Sequence, residues 1–105
     1  GDFPVDGAPE LVAELRAGFA FLDARQALRL VQTYGTEAAL MLDGARSMAD
    51  LGRAFGAGLT ETEVNWLIEN EFARTAQDIL WRRTKLGLHM NETQIRELES
   101  FVGSR

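Results

Sequence analysis

Three signals for the start of a helix recur along this chain. In each, a short polar residue stands three positions ahead of glutamine or glutamate, and apolar residues follow at helical spacing. Such a capping box satisfies the free N–H groups of the first helical turn, so it marks where a helix begins. Because the signals are spread over most of the chain, the sequence predicts an all-α fold. The pairs are Asp23 with Gln26, Thr60 with Glu63, and Asn91 with Gln94.

Further signals for the starts and ends of helices complete the prediction of a compact bundle of about five or six helices. Pro9 suits the first turn of the first helix, and Gly35 stands where glycine commonly ends a helix. Thr36 and Thr75 are candidates to begin two further helices, while the glycine-rich segment 52–58 is predicted to be a loop. In the second helix the predicted apolar stripe consists of Ala24, Ala27, Leu28, Val31 and Tyr34.

Composition and charge exclude several classes of function. Hydrophobic residues make up 46% of the 105 residues and charged residues 26%, so the chain can bury a core rather than remain disordered. The net charge of −5 opposes nucleic-acid binding, which would need a local basic patch. Without cysteine there is no thiolate chemistry, and His89, the one histidine, has no partners at the spacing of a metal site.

One run concentrates three cations beside a tryptophan, from Trp81 to Lys85. On an α-helix Arg82 shares a face with Asp78, four residues earlier, which is the favourable order for an exposed ion pair. Arg83 instead continues the apolar stripe, where an unpaired cation is costly. Either Arg83 forms a structural ion pair with Glu71 of the preceding helix, or the helix frays and the guanidinium extends to water.

Trp66 and Trp81 lie beside the apolar stripes of their helices. The usual burial of tryptophan favours positions in the core. The alternative is a contact surface for another domain, to which Arg82 and Lys85 would add charge. His89 is interpreted as a polar residue at a helix end without a catalytic role, because the sequence places no orienting carboxylate near it.

The glycines of segment 52–58 are interpreted as turn residues. The stretch Leu51-Gly-Arg-Ala-Phe-Gly-Ala-Gly58 has neither the lysine and hydroxyl residue of a P-loop nor a preceding strand. It therefore does not predict a phosphate-binding loop.

Four segments resemble a known family: Arg29-Leu-Val-Gln-Thr-Tyr-Gly35, Leu51-Gly-Arg-Ala-Phe-Gly56, Glu71-Phe-Ala-Arg-Thr-Ala-Gln-Asp78 and Leu80-Trp-Arg-Arg-Thr-Lys-Leu-Gly87. Together they are similar to the C-terminal domain of FAD-dependent glycerol-3-phosphate dehydrogenase and alpha-glycerophosphate oxidase. The resemblance spans nearly the whole chain and is most specific in its last segment. The family form usually has histidine and tryptophan at the positions of Asn70 and Phe72, and glutamate at that of Gln77.

The resemblance implies a larger flavoprotein that oxidises sn-glycerol 3-phosphate to dihydroxyacetone phosphate. Electrons would pass through FAD to membrane quinone or to oxygen. Residues 1–8 are then a linker from the catalytic region, and residues 9–105 are a helical C-terminal cap domain. The catalytic and FAD-binding residues are expected upstream, with none in this chain, because no Gly-x-Gly-x-x-Gly follows a strand here. The domain alone is therefore expected to be structural and inactive.

The expected partner is the upstream FAD and substrate domain of the same chain. A homo-oligomer and peripheral contact with the membrane, through Arg82 and Lys85, are further options. The expected location is the cytoplasm or the cytoplasmic surface of the membrane.

Two hypotheses that assign the chain to other classes of protein are alternatives to the dehydrogenase domain. A free-standing helical module for protein interaction would use Trp66 and Trp81 as anchors. A helix-turn-helix DNA binder would need an exposed basic face, but the candidate helix carries Asp78 beside Arg82.

Overall fold

The computed structural model describes residues 8–105, and the chain divides into two compact units between Leu51 and Gly52. The linker predicted for residues 1–8 lies outside the described residues except for Ala8, where the first helix begins. The described residues form five α-helices and one π-helix, which confirms the all-α class and the predicted five or six helices. None of the helices in this range is long and apolar enough to cross a lipid bilayer.

The first unit consists of three α-helices and a short 3-10 helix. They are α1 (Ala8–Gly18), α2 (Ala24–Tyr34), α3 (Glu37–Met41) and the 3-10 helix Met48–Leu51. α1 packs against both α2 and α3, and the buried apolar side chains come from all four elements and the turns between them. This core consists of Leu15, Leu22, Ala27, Leu30, Val31, Tyr34, Ala38, Met41, Leu42 and Leu51.

The bounds of α2 follow the local sequence signals. The carboxylate of Asp23 accepts the backbone N–H of Gln26 at 2.7 Å, which satisfies a free donor of the first turn. At the other end Gly35 has a φ of 61°, a conformation that costs glycine little, and it donates its N–H to the carbonyl of Val31.

The buried face of α2 differs from the predicted stripe. Ala24 is exposed and Leu28 is 38% exposed, whereas Leu30, which the stripe left out, is buried. Positions 27, 30, 31 and 34 lie together on a helix of 3.6 residues per turn, while positions 24 and 28 lie at the edge of that face. The periodicity of the sequence predicts the buried face of α2 approximately. Packing against the neighbouring elements determines which residues at the edge of that face are buried.

The second unit begins with a β-hairpin and continues through helices of three kinds. Its elements are β1 (Ala54–Gly56), β2 (Leu59–Thr60), α4 (Glu61–Asn70), the π-helix Asp78–Arg83, the 3-10 helix Leu86–His89 and α5 (Glu92–Gly103). The buried apolar residues of this unit are Phe55, Leu59, Val64, Leu67, Ala73, Ala76, Ile79, Leu80, Leu86, Met90 and Leu98.

The prediction that segment 52–58 is a loop is wrong in part, because β1 pairs antiparallel with β2. Of the glycines predicted to be turn residues, Gly58 lies in the turn between the strands, whereas Gly56 is the last residue of β1 and has a φ of 119°. The strands are too short to show the alternation that identifies a strand in a sequence. Phe55 of β1 is buried, and its ring centroid lies 5.2 Å from that of Phe101 in α5, so aromatic packing holds the hairpin in place.

The two capping boxes predicted in this unit differ in outcome. At the start of α5 the box is confirmed: Asn91 accepts the N–H of Gln94 at 2.8 Å, and the Gln94 side chain accepts the N–H of Asn91 at 3.0 Å. At the start of α4 the predicted box is wrong. Thr60 makes no capping hydrogen bond through its side chain, since it is a buried residue of β2, and Glu63 is itself buried.

Gly56→Ala is expected to lower the free energy of unfolding by about 1–3 kcal/mol, the range for a residue forced into a glycine conformation. The new Cβ would also lie 2.5 Å from the Gln94 side chain. Gly103→Ala is the matched control, because its Cβ would meet nothing within 4 Å in α5. The control should be neutral or stabilising by about 0.5–1 kcal/mol. Urea unfolding measures the stability of both variants. Equal losses in the free energy of unfolding would contradict the backbone conformation assigned to the hairpin.

Candidate functional site

The basic and aromatic run lies on the π-helix and the turn behind it. A reciprocal cap positions the start of this helix. The carboxylate of Asp78 accepts the backbone N–H of Arg74 at 3.1 Å and that of Thr75 at 3.3 Å. In return the Thr75 hydroxyl accepts the N–H of Asp78 at 3.1 Å. The direction in which the helix leaves is thus fixed by side chains that the sequence places three residues apart.

The same bonds change the acidity of Asp78. The hydrogen bond from the Arg74 N–H is the main cause that lowers the pKa of Asp78 below its usual value of 3.8. The bonds with Thr75 and the charge of Arg82 lower this pKa further, while desolvation opposes them. These interactions favour the ionised carboxylate, so the cap is strongest when Asp78 carries its charge.

Residues Asp78–Arg83 form a π-helix, so the α-helix predicted from Thr75 is wrong over this segment. Thr84 fixes its end, since its backbone N–H and its hydroxyl donate to the carbonyl of Ile79 at 3.0 Å and 2.7 Å. A donor five residues after its acceptor closes a wider turn than that of an α-helix. The phase computed for an α-helix therefore does not hold for the arginines. Single π-helical turns are also frequent at functional sites.

The chain leaves the π-helix through a strained residue. Lys85 has a φ of 57°, which costs a residue other than glycine about 1–3 kcal/mol. The Thr84 hydroxyl accepts the N–H of Leu86 at 3.2 Å and so holds the turn in this conformation. The 3-10 helix Leu86–His89 follows, and His89 is exposed at its end.

Trp81 lies with its ring against Gly87. A Cβ at Gly87 would be 2.7–2.9 Å from three atoms of the indole, so only glycine permits this approach. Trp81 is nevertheless 44% exposed, and the core position favoured from the sequence is wrong for this residue. Leu88 is 77% exposed. We call the exposed side chains of Trp81, Arg82, Lys85 and Leu88 the Trp81 surface.

The structure places the two adjacent arginines in different environments. The guanidinium of Arg83 contacts the carboxylate of Glu71, the residue at the end of α4, and the two side chains are 45% and 18% exposed. Arg83 is thus paired and half exposed rather than enclosed in an apolar stripe. The Arg82 side chain is 82% exposed, and its Nε lies 4.0 Å from an Asp78 carboxylate that already accepts two backbone N–H groups. Arg82 therefore remains a solvated cation.

Trp66, the other predicted interface residue, lies half-buried in α4. Its indole N–H is enclosed and has no hydrogen-bond partner among residues 8–105. Trp66 is less exposed than Trp81.

The sequence analysis did not predict a role for Thr84 or Leu88. The role of Thr84 could have been predicted because a threonine hydroxyl can donate a hydrogen bond to a preceding backbone carbonyl. Nothing in the sequence distinguished Leu88 from a leucine of the core.

Known proteins are similar to this chain over nearly its whole length. The family model for the C-terminal domain of alpha-glycerophosphate oxidase matches residues 2–102. The chain belongs to this family. It is 44% identical over 94 residues to a glycerol-3-phosphate dehydrogenase of Pseudomonas aeruginosa, and 39% identical over 85 residues to the aerobic glycerol-3-phosphate dehydrogenase of Escherichia coli. The resemblance inferred from the sequence motifs is confirmed.

These alignments cover most of this chain and little of its relatives. They include 90% and 81% of the chain but only 18% and 17% of the two enzymes. A D-erythritol 1-phosphate dehydrogenase of Brucella abortus is 44% identical over 61 residues, which are 58% of the chain and 12% of that enzyme. The chain thus spans less than a fifth of the length of the relatives it matches.

Gly52 and Gly56 do not provide the phosphate site of the FAD that the resemblance implies. A dinucleotide site uses glycines that let the backbone approach phosphate at the end of a parallel strand. Here a Cβ at Gly52 would meet the Glu61 side chain at 2.9–3.1 Å, and one at Gly56 would meet Gln94 at 2.5–2.8 Å. The space beside these glycines is filled, in one case by an acidic side chain that would repel phosphate.

Residues 8–105 contain no cluster of three or more histidine, cysteine or acidic side chains that could hold a metal ion.

Arg83→Ala is expected to lower the free energy of unfolding by about 1–2 kcal/mol, between the values for an exposed and a buried ion pair. The larger part is the cost of leaving Glu71, the more buried partner, without its cation. Arg82→Ala is the matched control and should change stability by less than about 0.5 kcal/mol. Urea unfolding measures both. Because contacting residues are not additive, Glu71→Gln combined with Arg83→Ala should cost less than the sum of the two losses. Equal small losses for both arginines would contradict a structural role for the pair.

Asp78→Asn should destabilise the domain in a pH-dependent way. A carboxyl group whose pKa is lowered by folding stabilises the native state above its unfolded pKa, and this contribution is lost as the pH falls through the folded pKa. The difference in stability between the parent chain and Asp78→Asn should therefore be largest near neutral pH and disappear below the usual carboxyl range. Urea unfolding at a series of pH values tests this, and a difference independent of pH would contradict it.

Proposed function

We propose that this chain is the C-terminal cap domain of an FAD-dependent glycerol-3-phosphate dehydrogenase. The observation that carries the proposal is the family match over residues 2–102, supported by relatives named glycerol-3-phosphate dehydrogenase. The complete enzyme would oxidise sn-glycerol 3-phosphate to dihydroxyacetone phosphate. FAD and the reacting groups would be held by a catalytic body outside these residues, with quinone or oxygen as the final electron acceptor.

The substrate class follows from what the relatives are named for. Glycerol 3-phosphate and D-erythritol 1-phosphate are both small polyols that carry a phosphate ester. The chain is 44% identical both to the Pseudomonas aeruginosa enzyme and to the D-erythritol 1-phosphate dehydrogenase over the aligned residues. Because this domain is similar to relatives named for both substrates, we assign the choice of polyol to the catalytic body.

The domain's own role would be assembly rather than chemistry. Its support is the filled space beside Gly52 and Gly56, together with a π-helical turn that presents exposed aromatic and basic side chains. A cap of this kind would cover the catalytic body and stabilise it.

We place the enzyme in the cytoplasm. We assign membrane contact to the catalytic body, because a net charge of −5 is repelled by an anionic lipid surface.

The purified chain of residues 1–105 is expected to bind no FAD and to oxidise no glycerol 3-phosphate. The visible absorbance of flavin after purification, and dye reduction with glycerol 3-phosphate, measure the two properties. The full-length enzyme is the positive control, assayed with glycerol 3-phosphate and with D-erythritol 1-phosphate. A short chain that retains stoichiometric flavin would overturn the structural role, and a full-length chain inactive with both substrates would overturn the enzyme assignment.

Equal recovery of the purified chain with neutral and with anionic vesicles is expected in sedimentation assays. Each cation near an anionic bilayer contributes only about 1 kcal/mol, and the acidic remainder of the domain opposes it. Salt-sensitive enrichment on anionic vesicles, lost in an Arg82→Glu, Lys85→Glu double variant, would instead assign these residues to a lipid surface.

A further inference from the structure

The Trp81 surface has an unusual charge for its setting. The chain has a net charge of −5, yet three of its eleven lysines and arginines fall within four consecutive residues, 82–85. Glu71 pairs with Arg83 and leaves two cations to face outward. The Arg82 side chain is 82% exposed at 4.0 Å from Asp78, and Lys85 is exposed and takes part in no ion pair among the described residues. A basic surface on an acidic domain complements an acidic partner.

The apolar part of the surface has the composition of a protein interface. Trp81 and Leu88 are 44% and 77% exposed, and Trp81 is held against Gly87 on one side of its ring. Tryptophan and arginine are the residue types most often found to carry binding energy at interfaces, where aromatic anchors enter pockets that exclude water. The matching partner therefore offers an apolar depression rimmed by carboxylates.

The surface is also fixed before any partner arrives. Thr84 closes the π-helix on the carbonyl of Ile79 and holds the N–H of Leu86, so the backbone on both sides of Lys85 is tied. Lys85 is kept in a left-handed conformation that a lysine rarely adopts, and such strain is frequent at functional positions. A rigid turn loses little conformational entropy on docking, which is how a small patch can bind strongly.

We propose that the Trp81 surface docks on an acidic, apolar-lined depression of the catalytic body in the same polypeptide. The proposal rests on the proposed function, because it takes the rest of the enzyme as the partner. A tethered partner is present at an effective concentration on the order of millimolar, so a patch of four side chains is sufficient. A lipid surface is the weaker occupant, since the acidic remainder of the domain opposes approach to anionic lipid.

Hydroxyl-radical footprinting of the full-length enzyme tests the docking. Trp81 and Trp66 are the chain's two tryptophans, so Trp66 serves as the internal reference for oxidation. In the native enzyme at low salt, Trp81 is expected to be oxidised slowly. In an Arg82→Glu, Lys85→Glu double variant, the oxidation rate of Trp81 relative to Trp66 should rise by about tenfold or more, because like charges placed across an interface repel strongly.

The matched control is Arg25→Glu with Arg96→Glu, which makes the same charge change at exposed positions outside the Trp81 surface. It should leave the oxidation of Trp81 at the native rate, and an equal increase in this control would overturn the proposal. A second measurement needs no substitution: raising the salt concentration on the native enzyme should expose Trp81, because screening weakens charge pairs at an interface.

Flavin content and turnover of the same preparations separate the two proposals. A native enzyme that holds flavin and oxidises a polyol phosphate, but oxidises Trp81 rapidly at low salt, would overturn the docking and leave the function standing. A preparation without flavin or turnover would overturn the function. Protection of Trp81 that disappears on dilution to monomer would assign the surface to a second copy. Protection that appears only with anionic vesicles would assign it to lipid, and either result overturns the proposal.

Discussion

The carbonyl of Ile79 is the acceptor on which the candidate site depends. It accepts hydrogen bonds from both the backbone N–H and the hydroxyl of Thr84, and the N–H, five residues after the acceptor, closes a π-helical turn. The wider turn sets the directions of Trp81 and the two arginines, and it leads directly into the left-handed Lys85. The Thr84 hydroxyl adds a second hydrogen bond at the end of this turn, next to the side chains that the domain presents to its surroundings.

The turn also explains how one basic run can serve two purposes. Arg83 points to Glu71 and fastens the π-helix to the end of α4, so its charge is used within the unit. Arg82 is left to the solvent beside a carboxylate already engaged with the backbone. The motif shared with the dehydrogenase family therefore combines a structural half and an outward-facing half in adjacent residues.

Most of the features that could be predicted from the sequence depend on local interactions, whereas the β-hairpin and the exposure of Trp81 could not be predicted. The caps at Asp23 and Asn91 involve residues three positions apart, so their sequence signal is complete in itself. The pairing of β1 with β2 was missed because its strands have three and two residues, and burial of Phe55 against α5 stabilises them. The exposure of Trp81 was missed because its core position was inferred from the usual burial of tryptophan, although Trp81 lies beside the predicted apolar stripe.

The contact between Phe55 and Phe101 makes the two units unequal in how they can fold. In the first unit each helix packs on helices that follow it closely in the chain, so little chain entropy is lost before a contact forms. In the second unit the hairpin must meet a helix from the far end of the chain, and the hydrogen bond from Arg53 to Glu97 likewise spans 44 residues. Contacts of long sequence separation form slowly. During synthesis the hairpin therefore cannot make its aromatic contact until α5 has been added to the chain.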